Sequence, residues 1–155
     1  RRSTTEVPKY WYDEYGLVLS PTPIDPANMS GSQFYTFHIR LRAGNDYASY
    51  YAVAKWNTMN ISDRTYLVGP TEETTYMTDA AKFWNQFRIE RSGDTLRFYL
   101  RRPDRGQSWK LAYTFTDSSL PDIFYIGFYA YHSKDDNGSY IIETQYDNLT
   151  LHAYP

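Results

Sequence analysis

The chain has 155 residues and a formal net charge of −2, with 16 Lys and Arg residues against 18 Asp and Glu residues. This length fits one domain with a hydrophobic core, and the charge balance lacks the basic excess that nucleic-acid binding requires. Cysteine is absent, which excludes disulfides, zinc–thiolate sites and cysteine nucleophiles. No apolar run reaches the roughly 18 residues of a membrane-spanning helix.

Short apolar runs separated by Gly, Pro, Asn and Asp turns predict an all-β fold, with residues 1–9 as a loose lead-in and residues 10–155 as a single domain. No long helical periodicity is present. About ten short strands favour a two-sheet antiparallel β-sandwich, in its simplest form a jelly roll. The predicted strands are residues 16–20, 33–43, 48–56, 64–68, 83–91, 95–102, 109–115, 123–131 and 140–151, the last as two strands or one bulged strand.

Period-two alternation is clearest in residues 33–43. Four apolar side chains point one way, and four polar ones point the other way: Tyr35, Phe37, Ile39 and Leu41 against Thr36, His38, Arg40 and Arg42. This pattern predicts a strand with one dry face and one wet face. Residues 48–56 should pair with it as a hairpin.

Residues 83–115 predict a three-stranded meander, because two polar turns divide three strand-like runs. In its middle run Leu96, Phe98 and Leu100 alternate with Arg97, Tyr99 and Arg101. The later run, residues 123–131, is apolar on both faces. That is typical of a strand central to its sheet, covered on both sides or lining a groove.

The order of motifs in the second half resembles that of the concanavalin A-like lectin and glucanase superfamily, whose laminin-G-like members bind carbohydrate. The resemblance is carried by WNQFRIERSG at residues 84–93, RGQSW at 105–109, Pro121, IGF at 126–128 and YDNL at 146–149. It implies a jelly roll whose concave sheet often binds glycans. It does not fix a ligand, because the fold hosts lectins, hydrolases and lyases.

The same resemblance implies a structural Ca²⁺ in some members, where an acidic residue of the final strand clamps the approach of the first strand. Asp147 matches that position, and Asp13 or Glu14 could supply the other side. Calcium prefers six to eight oxygen ligands. The alternative is that Asp147 caps or hydrogen-bonds a neighbouring loop.

The hydrolases of this superfamily carry their catalytic carboxylates in an E-x-D-x-x-E strand, and this sequence contains no such segment. Glu72 and Glu73 are adjacent and would face opposite sides of a strand. Glu90 shares a face with Arg88, so an ion pair is the simpler interpretation. The lyase motifs are also incomplete, since only the Tyr-rich run at 125–131 and the pair His38 and Arg40 resemble them. The sequence favours binding over catalysis.

Sugars are bound by flat aromatic rings and by nearby hydrogen-bonding groups. Outward positions on the predicted strands would combine into a Tyr/Arg surface if the strands neighbour each other. Arginine forks suit carboxylates or sulfates, which makes an acidic polysaccharide a reasonable ligand. Trp56 ends its strand and is a candidate platform; the alternative is a core or edge aromatic. The predicted ligand-binding residues are His38, Arg40, Trp56, Arg88, Tyr99, Tyr129 and Tyr131.

These observations predict an extracellular, non-catalytic carbohydrate-binding domain that is a module of a larger chain. A polysaccharide-degrading jelly-roll enzyme is the first alternative. An adhesive or structural domain that binds protein through a Tyr-rich surface is the second.

Overall fold

A computed structural model describes residues 2–3, 12–23, 33–42, 49–58, 61–72, 84–120, 122, 124–132, 143–144, 146 and 150. In these ranges the chain forms strands and two 3-10 turns, Ile61–Asp63 and Pro103–Arg105, and it contains no α-helix. The described residues hold no helix that is long and apolar enough to cross a membrane. The strands are β1 (Arg2–Ser3), β2 (Tyr12–Ser20), β3 (Phe34–Arg42), β4 (Ser49–Trp56), β5 (Arg64–Glu72), β6 (Gln86–Ser92), β7 (Thr95–Arg101), β8 (Lys110–Thr116), β9 (Tyr125–His132) and β10 (Glu143–Thr144).

Two antiparallel sheets form the body of the protein. The larger has the strand order β5-β4-β3-β2-β9, and the smaller has the order β6-β7-β8. The short strands β1 and β10 pair with each other. The predicted all-β, two-sheet antiparallel sandwich is therefore confirmed, as are the β3–β4 hairpin and the three-stranded meander.

The main core lies between the two sheets, because apolar side chains of both belong to one buried cluster. The larger sheet contributes residues such as Phe37, Ile39 and Val53, and the smaller sheet contributes Leu96, Phe98 and Leu100. Phe37 packs edge-on against Phe98 with 5.4 Å between ring centroids. Alternation in β3 and β7 thus delivers the dry face that the sequence predicts.

The prediction of a wet face on β3 is wrong. Thr36 and His38 point away from the three-stranded sheet, yet both are 0% exposed. Beside them a second buried cluster contains Val18, Phe34 and Trp56. The larger sheet is therefore dry on both faces at its centre, and its polar side chains must find partners within the protein.

Two predicted strand positions differ from the structure. β5 does not end before Gly69 and Pro70 but continues through them to Glu72, with register shifts opposite Val53. Among the described strands, β5 lies at the end of the larger sheet, a position where Pro is tolerated because a strand at the end of a sheet pairs on one side only. Gly69 takes a φ of 83° that suits a bulge.

β9 is the second difference. Among the described strands it lies at the end of the larger sheet and pairs with β2, so it is not central. Phe128 is 51% exposed on this strand. Among the described strands, an apolar composition on both faces therefore did not distinguish a central strand from one at the end of the sheet.

Candidate functional site

The outer face of the five-stranded sheet, meaning the face turned away from the three-stranded sheet, brings together ionisable side chains from four of its strands, β2, β3, β5 and β9. The register sets Glu14 of β2 opposite Arg40 of β3 and Tyr131 of β9. It also sets Arg64 of β5 opposite Trp56 of β4. Residues directly opposite each other in antiparallel strands share a face.

The centre of this face is the Glu14 cluster, which we define as Glu14, His38, Arg40, Arg64 and Tyr129. Glu14 is 1% exposed. Its Oε2 accepts a hydrogen bond from Arg64 Nη1 at 2.5 Å and another from Tyr129 Oη at 2.7 Å. Arg40 Nε lies 3.8 Å from Glu14 Oε1, and His38 Nε2 lies 3.6 Å from Oε2. Arg64 thus supplies the opposite charge that compensates for the burial of the Glu14 carboxylate.

A short hydrogen-bond chain orients His38. Trp56 Nε1 donates to Thr36 Oγ1 at 2.9 Å, and Thr36 Oγ1 lies 3.1 Å from His38 Nδ1. Because Thr36 already accepts from Trp56, its own proton is available to His38 Nδ1. The approach of His38 Nε2 to within 3.6 Å of the Glu14 carboxylate favours the tautomer that carries the ring proton on Nε2, and in that tautomer Thr36 donates to Nδ1.

Two buried polar atoms of the cluster have no hydrogen-bond partner in the part of the chain that the structure describes. They are Glu14 Oε1 and His38 Nε2. One is an acceptor and the other, in the assigned tautomer, is a donor. A buried polar atom without a partner carries a free-energy cost of about 1–3 kcal/mol, so this pair marks a place where a group that both donates and accepts would be stabilised.

Burial fixes the protonation states around the carboxylate. Burial lowers the pKa of His38 to about 4, and the opposing effect of Glu14 is smaller. Burial, and then the neighbouring Glu14, raise the pKa of Tyr129 well above its usual range. Burial alone would lower the pKa of Arg64, but the Glu14 carboxylate raises it overall. At neutral pH the cluster therefore contains a neutral imidazole, a phenol that keeps its proton and a charged guanidinium.

The cluster reaches solvent through its rim. The Arg40 side chain is 22% exposed, and its Nη1 donates to Tyr66 Oη at 3.4 Å. Tyr66, Tyr129 and Tyr131 are partly buried. A ligand that approaches the buried pair of atoms would meet Arg40 and these phenols first.

Trp56 is a buried aromatic residue, as the alternative prediction has it, and not an exposed platform. It is 3% exposed, its ring stacks on Phe34 with centroids 5.5 Å apart, and the Arg64 guanidinium lies 4.9 Å from its centroid. A covered ring cannot stack on a sugar. Its described role is to anchor Thr36 and Arg64 beneath the cluster.

Arg88 and Tyr99 lie on the other sheet, opposite each other on β6 and β7. The predicted set is therefore divided between two faces: His38, Arg40, Trp56, Tyr129 and Tyr131 belong to the five-stranded sheet, and the other two belong to the three-stranded sheet. The predicted ion pair between Arg88 and Glu90 is confirmed.

Only one of the two predicted calcium ligands lies among the described residues. Asp147 lies outside the described residues, and Asp13 belongs to β2. Glu14, the alternative ligand, is buried against Arg64 and does not fit the role. In the described ranges no group of three or more His, Cys, Asp or Glu side chains could hold a metal ion.

Sequence reasoning missed Arg64 and Tyr66, and it considered Glu14 only as a calcium ligand. The available signal was Glu14, one of two adjacent carboxylates in the run YDEYGLVLS, because an unpaired charge would be costly to bury there. Its partners are 50 and 115 residues away in sequence. No local sequence pattern identifies these partners.

Comparisons of the chain with protein-family models, with curated proteins and with solved structures found no match. The resemblance to the concanavalin A-like superfamily therefore depends on the motif order alone.

Proposed function

We propose that this protein is a non-catalytic, lectin-like domain that binds a saccharide on the outer face of its five-stranded sheet. Arg40, Tyr129 and Tyr131 form the contact rim, and Glu14 and His38 supply hydrogen bonds beneath it. An extracellular location and membership of a larger chain belong to the same proposal. The extracellular location is proposed from the resemblance to concanavalin A-like carbohydrate-binding domains.

The observation that carries the proposal is the pair of unpartnered buried atoms, Glu14 Oε1 and His38 Nε2. A sugar hydroxyl donates one hydrogen bond and accepts others. It can therefore donate to the carboxylate oxygen and accept from the imidazole N–H at the same time.

The cluster is also held in place before any ligand arrives. Arg64 and Tyr129 both hold Glu14 Oε2, and Thr36 holds His38. Affinity rises when a site loses little side-chain freedom on binding. A rigid donor and acceptor at fixed spacing favour recognition of a rigid ring hydroxyl.

The protonation states favour binding over the enzymatic alternative. A general base should titrate near the working pH, whereas the pKa of His38 lies at about 4 and that of Tyr129 is far above neutrality. Glycoside hydrolysis requires two carboxylates, and the described partners of Glu14 are His38, Arg40, Arg64 and Tyr129. Release of reducing sugars or unsaturated uronates from a polysaccharide panel would support the enzyme instead.

The test is a glycan array, followed by calorimetry with the oligosaccharides that bind. Arg40→Met keeps the apolar stem of the rim residue and removes its charge, and Arg105→Met is the matched control at an exposed arginine of the 3-10 turn Pro103–Arg105. A lost charged hydrogen bond costs about 1.5–3 kcal/mol, so we expect Arg40→Met to weaken binding by about 10- to 100-fold. We expect the control to bind normally. Equal affinity in both variants and the wild type would overturn this site.

A structural Ca²⁺ held by Asp147 and Asp13 is proposed from the resemblance. It is tested by melting the protein with calcium and with a chelator. The expected result is a higher melting temperature with calcium in the wild type and no such shift in Asp147→Ala. A melting temperature that is indifferent to the chelator would remove the ion from the proposal.

A further inference from the structure

The outward face of the three-stranded sheet carries a cluster of cationic and aromatic side chains that plays no part in the saccharide site. Its members on β6 and β7 are Arg88, Glu90, Arg97, Tyr99 and Arg101, and Trp109 lies just before β8. The opposite face of β7 is the core face, with Leu96, Phe98 and Leu100. We call these six outward residues the arginine face.

Aromatic rings hold the arginines in place. The Arg101 guanidinium lies 4.6 Å from the centroid of the Trp109 ring. Arg88 lies 5.4 Å from the Tyr99 centroid and 5.8 Å from that of Trp109. Cation–π contacts within about 6 Å are attractive. The rings therefore hold the guanidinium groups in position. Arg101 Nε donates to Gln86 Oε1 at 2.6 Å and Arg88 Nη2 donates to Glu90, so the other N–H groups of each guanidinium are those that a ligand would meet.

The face is locally cationic on an acidic protein. Three arginines stand against one glutamate, while the whole chain has a net charge of −2. Glu90 is already occupied, because it pairs with Arg88 and accepts a hydrogen bond from Tyr99 that raises the pKa of that phenol. The positive charge that remains is concentrated at Arg97 and Arg101.

Geometry matches these two arginines to an extended polyanion. They are four residues apart on β7, which places their Cα atoms about 13 Å apart on the same face. Arg88 stands on the neighbouring strand opposite Tyr99, between them. A flat sheet surface with spaced cations suits a linear chain that carries an anionic group on successive units.

We propose that the arginine face binds an acidic polysaccharide through its carboxylate or sulfate groups. Each guanidinium presents two parallel N–H donors that match such oxyanions. Polysaccharide is favoured over nucleic acid because three arginines offer few phosphate contacts and the rest of the chain is acidic. This inference does not depend on the hydroxyl site at Glu14 and His38.

Affinity electrophoresis tests the proposal, with polygalacturonate, dextran sulfate, uncharged dextran and a single-stranded DNA oligonucleotide as separate probes. The variant is Arg97→Gln/Arg101→Gln. Arg105→Gln is the charge control, because Arg105 is exposed in the 3-10 turn Pro103–Arg105. Circular dichroism confirms that each variant is folded.

We expect at least one acidic polysaccharide to retard the wild type, and uncharged dextran not to do so. The double variant should bind that polysaccharide about 10-fold more weakly or worse, since two charge-assisted contacts are lost, and Arg105→Gln should match the wild type. Comparison of polygalacturonate with dextran sulfate separates carboxylate from sulfate recognition. Arg40→Met should leave this binding unchanged, which distinguishes the two sites.

Three results would overturn the proposal. One is a failure of both acidic polysaccharides to retard the wild type at low salt. The second is an equal loss in Arg105→Gln, because that would indicate a nonspecific effect of net charge. The third is tighter binding of the DNA oligonucleotide than of either polysaccharide.

Discussion

Replacement of Arg64 by Met should destabilise the protein more than any exposed charge substitution. The Arg64 side chain is 5% exposed, and its Nη1 lies 2.5 Å from Glu14 Oε2. At an effective dielectric constant of about 20, charges at that separation attract by about 6–7 kcal/mol. Desolvation offsets part of this, and removal of one partner of a buried pair typically costs about 3–5 kcal/mol. In a domain of this size such a loss lowers the melting temperature by roughly 10 °C.

The assay is urea denaturation, followed by circular dichroism so that the change near Trp56 does not bias the signal. Glu14→Leu, Arg64→Met and the double variant complete a cycle. If the pair is buried as described, the double variant should be more stable than Arg64→Met alone, because no carboxylate is left without its cation. Costs that simply add, or a loss below about 1 kcal/mol for Arg64→Met, would show that Glu14 and Arg64 do not form a buried, mutually dependent pair.

Two further outcomes follow from the same sheet. In the unfolded chain His38 binds a proton below its ordinary pKa of 6.5, but in the folded protein it does so only below about 4. Neutral His38 therefore makes its full contribution to the free energy of unfolding above pH 6.5. That contribution declines by about 3 kcal/mol as the pH falls towards 4. His38→Gln should flatten that part of the profile of unfolding free energy against pH, and an unchanged slope would contradict the burial. Gly16→Ala would place a Cβ 2.1 Å from Phe37 O, a backbone atom that cannot rotate away, so a loss of about 3 kcal/mol or more is expected in urea denaturation. Gly93→Ala meets nothing within 4 Å and should lose about 1–2 kcal/mol, from its left-handed backbone alone; equal losses in the two variants would argue against the close approach.

The fold class could be predicted because strand alternation and turn residues are local signals. β7 shows this best: its period-two pattern places Leu96, Phe98 and Leu100 in the core, as the structure does. β5 shows the limit. Pro70 normally ends a strand, and only its position at the end of the sheet among the described strands, which depends on tertiary pairing, permits the strand to continue.

The candidate site could be predicted only in fragments. Alternation identified His38 and Arg40 as sharing a face, but polarity was interpreted as exposure, and His38 is fully buried. A polar side chain can be buried when its partners come from distant strands, and Glu14 meets Arg64 and Tyr129 across 50 and 115 residues. The division of Arg88 and Tyr99 from the other predicted residues likewise depends on which strands share a sheet, which a single sequence does not encode locally.

Stability alone does not account for the Glu14 cluster. Well-packed apolar residues often replace a buried ion pair without loss of stability, and this protein has apolar side chains such as Val18 and Phe34 on the same face. The cluster also leaves Glu14 Oε1 and His38 Nε2 without a hydrogen-bond partner among the described residues, which costs free energy that an apolar sheet face would not lose. The saccharide site that we propose would offset this cost, because a ligand hydroxyl would satisfy both atoms at once.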